Sequence, residues 1–269
     1  MSIVRMQGLG EEEKLAEEKA IQLVKASPEE LVAEYRKRYG IQVGTDLARE
    51  LFQDYAASVE SRLRLAGAVQ RSAASVADMV FDKILSESSN GPVLFTAGGT
   101  GSGKTTAILS NIETNEVFQN ATVIFDGNFN SFKSSKERVD KALQTGCSVA
   151  IIFVHRHPVE AYMNGVLPRA HLQGRTVQVD AHIRMHKDSI KAFLRADKHY
   201  KDNKSVSFVV INNTGREQES FVTSIDYLKS VRYDSTDLSA TIQMELSNAY
   251  QQEKISQALY EASRGNAGS

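Results

Sequence analysis

The run Gly98-Gly99-Thr100-Gly101-Ser102-Gly103-Lys104-Thr105 satisfies the pattern Gly-x-x-x-x-Gly-Lys-[Ser/Thr]. Its glycines let the backbone turn tightly and aim N–H groups at an anion, and a helix that follows would add the positive end of its dipole. Lys104 is then expected to reach the β- and γ-phosphates of ATP and the Thr105 hydroxyl to sit on Mg²⁺. Gly98, Gly99, Thr100, Gly101, Ser102, Gly103, Lys104, Thr105 and Thr106 together form the expected ATP-binding stretch. An apolar run, Val93 to Ala97, precedes the loop and a helix-compatible one, Thr106 to Leu109, follows it. That context separates a phosphate-binding loop from a glycine-rich turn that is merely flexible.

Such a loop implies a nucleoside triphosphate but not what is done with it. Phosphoryl transfer needs cations on the equatorial oxygens and a positioned nucleophile, because positioning and charge neutralisation carry most of the catalysis. Asp126 is the candidate acid. It follows the apolar run Thr122 to Phe125, and at the carboxyl end of a parallel strand it would hold Mg²⁺ or accept a proton from a substrate hydroxyl. As a plain Asp-Gly turn residue it would do neither. Arg169 and Arg175 are the candidate cations, on a segment with Pro168 and Gly174 that suits a lid over a transferring phosphate.

Other chemistries find less footing. The histidines are His155, His157, His171, His182, His186 and His199. His182 and His186 share a helix face, but Ile183-Arg184-Met185 between them lacks the Glu of a His-Glu-x-x-His zinc site. His182 therefore reads as a polar-network or substrate-side residue. Cys147, the single cysteine, enters an apolar run and reads as a buried structural thiol; with no second cysteine there is no intrachain disulfide, and a reducing compartment is expected.

The elements that must position these residues alternate after Pro92. Strands are expected at Val93–Ala97, Thr122–Phe125, Val149–Val154 and Val206–Ile211, with helices between them, so the fold class is α/β with a central, mostly parallel sheet. The helix from Lys104 should end near Asn111 to Asn115, and Ser134 should cap a helix through Leu143. Val159 to Gln173 is helical in pattern but interrupted by Pro168. Residues 176–196 read as a helix, as do Glu217 to Lys229, with Phe221, Ile225 and Leu228 on one face.

Upstream, residues 1–90 read as an all-helical region. Glu11 to Ala26 carries a stripe of Leu15, Ala20, Leu23 and Val24. Ser27-Pro28 starts a helix with Leu31, Tyr35 and Tyr39 on one face that stops at Gly40, and Thr45-Asp46 starts another, with Leu47, Leu51, Phe52 and Tyr55. Ser58 to Ser86 is one long helix or two broken near Gly67. The polar turn 86–92 marks a boundary, giving a helical region 1–90, a nucleotide-binding domain 91–234, and a C-terminal helix with a loose tail at 235–269.

The 269 residues hold 32 Lys+Arg against 33 Asp+Glu, a formal net charge of −1. That balance gives no generic attraction to nucleic acid or to acidic membranes. No apolar run approaches a membrane span, and the N-terminus lacks the charged-then-apolar signal pattern, so a cytoplasmic protein is expected.

Ala-Gly-Gly-Thr-Gly-Ser-Gly-Lys-Thr, Val-Ile-Phe-Asp-Gly, Val-Ala-Ile-Ile-Phe-Val and Pro-Arg-Ala-His-Leu-Gln-Gly-Arg-Thr-Val, in that order and with His182 beyond, resemble the zeta toxin family of P-loop kinases over about Val93 to Gly215. The resemblance implies an ATP- and Mg²⁺-dependent phosphotransferase acting on a hydroxyl of UDP-N-acetylglucosamine or a related nucleotide sugar. It implies a P-loop kinase-like three-layer fold in which Lys104 and Thr105 would hold phosphates and Mg²⁺, Arg169 and Arg175 would stabilise the transferring group, and Asn212 would match a strand-end Asn near the base; Asp126 has the first family acid's distance from the lysine and the second acid's local sequence. Family members usually carry two acids on successive strand ends, whereas only Asp126 is identified here. Zeta toxins are restrained by helical antitoxins, so an antitoxin partner, or inhibition in cis by the helical front, is a further implication. Two other readings fit the same loop: an ATP-binding interaction protein of weak turnover, and a polynucleotide or nucleotide kinase, which the net charge disfavours.

Overall fold

The computed structural model describes residues 3–87, 91–215 and 220–264. Helix α1 (Glu11–Ala26) and α2 (Pro28–Tyr39) lead into a short strand, β1 (Gln42–Val43), then the short helices α3 (Thr45–Arg49) and α4 (Gln53–Ala56) and the long α5 (Val59–Glu87). Strand β2 (Val93–Ala97) enters the glycine-rich loop, which opens into α6 (Lys104–Ser110) and α7 (Ile112–Gln119). Next come β3 (Val123–Phe125), α8 (Phe132–Gln144), β4 (Val149–His155) and α9 (Pro158–Ala161), with a π-helical turn (Tyr162–Val166) running into α10 (Leu167–Gln173). The chain closes with α11 (Val179–Tyr200), β5 (Val206–Asn212), β6 (Phe221–Thr223), α12 (Ile225–Ser230), α13 (Ser235–Gln251) and α14 (Gln257–Arg264).

The strands form one six-stranded sheet in the order β1-β3-β2-β4-β5-β6, parallel throughout except for the antiparallel β5–β6 pair. Strands β2 and β4 are buried along their whole length, as expected of central strands covered on both faces. The architecture is thus mixed α/β around a mostly parallel sheet. Two of its strands were not expected from the pattern. β1 comes from upstream of the loop and pairs in parallel with β3, Gln42 opposite Ile124 and Val43 opposite Phe125.

Residues before and after position 90 share one hydrophobic core. Phe81 of α5 lies 5.7 Å from the Phe95 ring and 5.4 Å from the Phe125 ring, tying the long helix to β2 and β3. The turn into β1 is fixed by the buried Tyr35, whose hydroxyl donates toward the Gln42 carbonyl at 3.1 Å and accepts from the Gly44 N–H at 2.8 Å. Helix α5 runs unbroken through Gly67. One glycine costs a helix about 1 kcal/mol, little against the burial of Leu65, Val69, Val76, Val80, Phe81 and Ile84.

Several local expectations are corrected. Leu15 and Leu23 of α1 are exposed, and Ala16, Ala20, Ile21 and Val24 face inward; small residues let α1 lie close on α5. Ser131, not Ser134, caps α8, its side chain accepting from the Ser134 N–H. Pro168 does not interrupt the helix around it: it sits in the first turn of α10, where its missing N–H is tolerated, behind a π turn that re-phases the chain. The helix expected from Glu217 is instead β6 and α12. Phe221, Val222 and Thr223 find backbone partners along β5, and only Leu228 of the expected face is deeply buried. Its start at 217–219, part of the polar turn at 86–92 and the tail beyond 264 lie outside the described residues. Helix α13 packs against α9 and α11 through Leu238, Ile242 and Leu246. Among the described residues no helix is long and apolar enough to cross a membrane.

Because Phe81 bridges the upstream helices and the sheet, Phe81→Ala should cost about 3–5 kcal/mol. Its thermal melt should remain a single transition; two transitions, one insensitive to the substitution, would show that 1–90 folds independently.

Candidate functional site

The site lies at the carboxyl ends of β1, β3, β2, β4 and β5, the edge where open parallel sheets bind ligands. Gly98 to Gly103 form the turn from β2 to α6, and Lys104, Thr105 and Thr106 open that helix. The loop is held from below and from the side. His186 of α11, almost fully buried, lies 3.1 Å from the Thr100 carbonyl oxygen through Nε2, which therefore carries the proton and donates. A Cβ on Gly99 would come within 2.1 Å of the same imidazole, so a side chain there would displace it. From the lid side, Gly165 of the π turn packs on Gly101, where an added Cβ would lie 2.4 Å from the Gly101 carbonyl oxygen. Asn213, just past β5, donates from Nδ2 to the Ser102 carbonyl at 2.8 Å. Asn212, the expected base-side residue, instead accepts the Thr214 N–H at 3.0 Å.

Lys104 donates to Asn128 Oδ1 at 3.1 Å, and the Asn128 amide reaches Thr100 Oγ1 at 3.4 Å. Asp126 sits one residue past β3, exposed, with Oδ1 accepting from Thr96 Oγ1 at 2.7 Å. Burial pushes the Lys104 ammonium below its ordinary pKa, opposed by Asp126 and reinforced by Arg169. Lys104, Asp126 and Arg169 thus occupy one electrostatic neighbourhood.

Arg169 and Arg175 do come together, and what gathers them is Asp46. Its Oδ2 lies 2.7 Å from Arg175 and 4.0 Å from Arg169, while Oδ1 lies 3.2 Å from Arg49. Burial alone would raise the Asp46 carboxyl; Arg49, Arg175 and Arg169 outweigh it and hold the pKa down to about 2. The two lid arginines differ. Arg175, in direct contact with Asp46, has its pKa raised against the effect of burial, whereas burial wins at Arg169 and lowers it. The Nε atoms of Arg49, Arg169 and Arg175 are buried without a partner among the described residues.

No family model and no curated protein matches this chain. The reading of the site accordingly rests on its geometry. Thr105 and Asp126, both exposed at the mouth of the site, are the oxygen donors a Mg²⁺ would use. Among the described residues no group of three or more His, Cys, Asp or Glu gathers as a metal cage. That donor set fits an ion held mainly by phosphate and water, with one or two protein oxygens.

Asp46, Arg49, Asn128, His186 and Asn213 escaped the sequence reading. The sequence pattern places Thr45-Asp46 at a helix start, but Gly44 is the N-cap and Asp46 lies in the first turn of α3; the signal for it is the pair Gln42-Val43 followed by a glycine and an acid. His182 is buried against Tyr162, with Nε2 donating to the Pro158 carbonyl at 2.9 Å, and so anchors the lid's first turn.

Burial depresses the pKa of His182 to about 4, against the pull of the Pro158 carbonyl, and that of His155 to about 4 as well. A histidine depressed in the folded state takes up its proton first in the unfolded chain. Stability is therefore intact above pH 6.5 and is lost as pH falls from 6.5 toward 4. In urea titrations at pH 7 and pH 5, His182→Gln should remove about 2 kcal/mol of that acid-induced loss; an unchanged pH dependence would refute a neutral, buried His182.

Proposed function

We propose that this protein is an ATP-dependent phosphotransferase that moves the γ-phosphate to a hydroxyl of a nucleotide-like small molecule, in the manner of the zeta-toxin kinases it resembles. The observation that carries the reading is the convergence of Lys104 with Arg169, Arg175 and Arg49 at the carboxyl edge of the sheet, beside a loop of the phosphate-binding pattern. A motor or a switch needs the loop; a partly buried arginine beside the loop's lysine, as Arg169 is, is what phosphoryl transfer needs.

In this reading the backbone of Gly98–Gly103 and Lys104 hold the β- and γ-phosphates. Lys104 exchanges its bond to Asn128 for phosphate oxygens, which restores the counter-charge that burial denies it. Arg169 reaches the equatorial oxygens of the transferring group, and Arg175, fixed on Asp46, backs it. Asp126 orients the acceptor hydroxyl and takes up its proton late, because a loose transition state needs little base assistance. Thr105 and Asp126 would hold Mg²⁺, which when bound supplies charge neutralisation between the β- and γ-phosphates. Gly165 and His186 keep the loop and lid in register. A nucleotide sugar is the first acceptor to test, since the zeta-toxin resemblance implies one.

One observation favours a second reading. Asp126 already accepts a hydrogen bond from Thr96, and the side chain bonded to Lys104 is an amide rather than a carboxylate. A protein that binds ATP and turns it over poorly would tolerate both.

Transfer of labelled γ-phosphate from ATP to a panel of nucleotide sugars, nucleosides and dinucleotides tests the proposal. Lys104→Ala and Arg169→Ala should each lower transfer by about 10²–10³-fold without lowering the melting temperature. Turnover equal to that of the unaltered chain in both variants would remove the catalytic assignment. ATP binding with no transfer above the Lys104→Ala background would favour the interaction protein.

A further inference from the structure

Strand β1 and helix α3 belong to the upstream region, yet they carry two of the residues that build the arginine cluster. Val43 accepts the Asp126 N–H at 2.7 Å, which sets the carboxyl ends of β1 and β3 level. Gly44 lies so close to Asp126 that a Cβ there would sit 3.0 Å from its carbonyl oxygen. The chain then turns into α3 with Asp46 in its first turn and Arg49 in its last. Helix α3 cannot drift: Ala48 is fully buried, Arg38 donates to the Glu50 carbonyl, and Arg62 grips the Glu50 carboxylate with two bonds at 3.1 and 2.8 Å. Arg49 is held at its far end by Gln70 of α5.

Two roles are open to a carboxylate in this position. It could occupy the seat of the transferring phosphate and block it, as an inhibitory segment would. It could instead stand behind the arginines and hold them in place. The contacts separate the two. Asp46 pairs with Arg49 of α3 at 3.2 Å and with Arg175 of the turn after α10 at 2.7 Å, and stands 4.0 Å from Arg169 of α10, whereas the lysine that any phosphate must meet donates its hydrogen bond to Asn128. One carboxylate among three guanidiniums also leaves a net positive charge, so the cluster retains its capacity for an anion.

We propose that Asp46 is a positioning residue that gathers Arg49, Arg169 and Arg175 into a clamp for a polyphosphate, and that the upstream helical region therefore completes this site instead of inhibiting it. The proposal rests on the phosphate-handling reading above but not on turnover. Its mark is a sign opposite to plain electrostatics. Removing a negative charge beside an anion site should tighten anion binding; removing the residue that holds the clamp together should weaken it.

The test is calorimetric titration of the full-length chain with inorganic tripolyphosphate. Asp46→Asn should weaken binding about tenfold, because misplaced guanidiniums no longer converge, and Asp46→Glu should recover most of the loss. Arg49→Gln serves as a second variant if Asp46→Asn melts early: it should weaken tripolyphosphate binding and flatten its salt dependence. Unchanged or tighter binding in Asp46→Asn would overturn the proposal, and higher phosphate transfer in that variant would mark Asp46 as an inhibitory plug. The kinase reading fails separately, through unaltered transfer in Lys104→Ala, whatever tripolyphosphate binding shows.

Discussion

Two carboxylates, Asp46 and Asp126, stand among Arg49, Arg169, Arg175 and Lys104, and this excess of positive charge is the constraint on which the site depends. Like charges in a partly buried volume repel, and the repulsion grows as water is excluded. The cluster persists because Arg49 and Arg169 ride on elements packed for other reasons and Arg175, in the turn after α10, is paired directly with Asp46. Arg49 rides on α3, pinned through Ala48 and Glu50; Arg169 rides on α10, whose Leu167 and Ala170 sit in the core beneath α13. The packing of the scaffold offsets the electrostatic cost, and the unspent positive charge is what an anion would meet on entering.

The same constraint ties the upstream residues to the sheet, whose core they share. The cluster needs a carboxylate level with the end of β3, and β1 provides the place by pairing in parallel with β3 at the sheet edge. A two-residue strand contributes little pairing energy by itself. It is held by Tyr35, whose hydroxyl closes the turn on both sides of β1, and by α5, which lies across the sheet with Phe81 against Phe95 and Phe125. Sequence order and spatial order therefore differ: a segment that precedes the loop completes the sheet on the far side of β3.

The parts legible in the sequence were those whose periodicity runs long enough to count. The continuous apolar runs of β2 and β4, the span of α1 and the Gly-Lys-Thr loop all read directly, because burial on both faces or a dense motif leaves few alternatives. What escaped was short or depended on distant partners. Gln42-Val43 is too brief to show alternation, and it is a strand only because β3 offers an edge. Phe221, Ile225 and Leu228 match a helical face, but the free edge of β5 claimed the first of them. Asp46 looked like a helix cap because capping and ligand positioning use the same residue type at the same kind of place; only the arrival of Arg169 and Arg175 from far along the chain tells them apart. Residue type and placement single out Asp126, Arg169 and Arg175, which the structure brings into one neighbourhood with Lys104 and Asp46, but neither signal points to the carboxylate between the two arginines.

The two lid arginines are not equivalent. Arg175 holds Asp46 at 2.7 Å, and that contact supports its charge strongly enough to overcome burial. Arg169 stands 4.0 Å from the same carboxylate, feels Arg175 and Arg49 as like charges, and is the one at which burial is not outweighed. An incoming anion gains most from the cation that is least satisfied, since it competes with no short bond and relieves repulsion as it binds. The asymmetry divides the labour: Arg175 spends its contact on joining the turn after α10 to the upstream segment, and in the proposed phosphotransferase Arg169, beside Lys104, would be the cation that meets the transferring group.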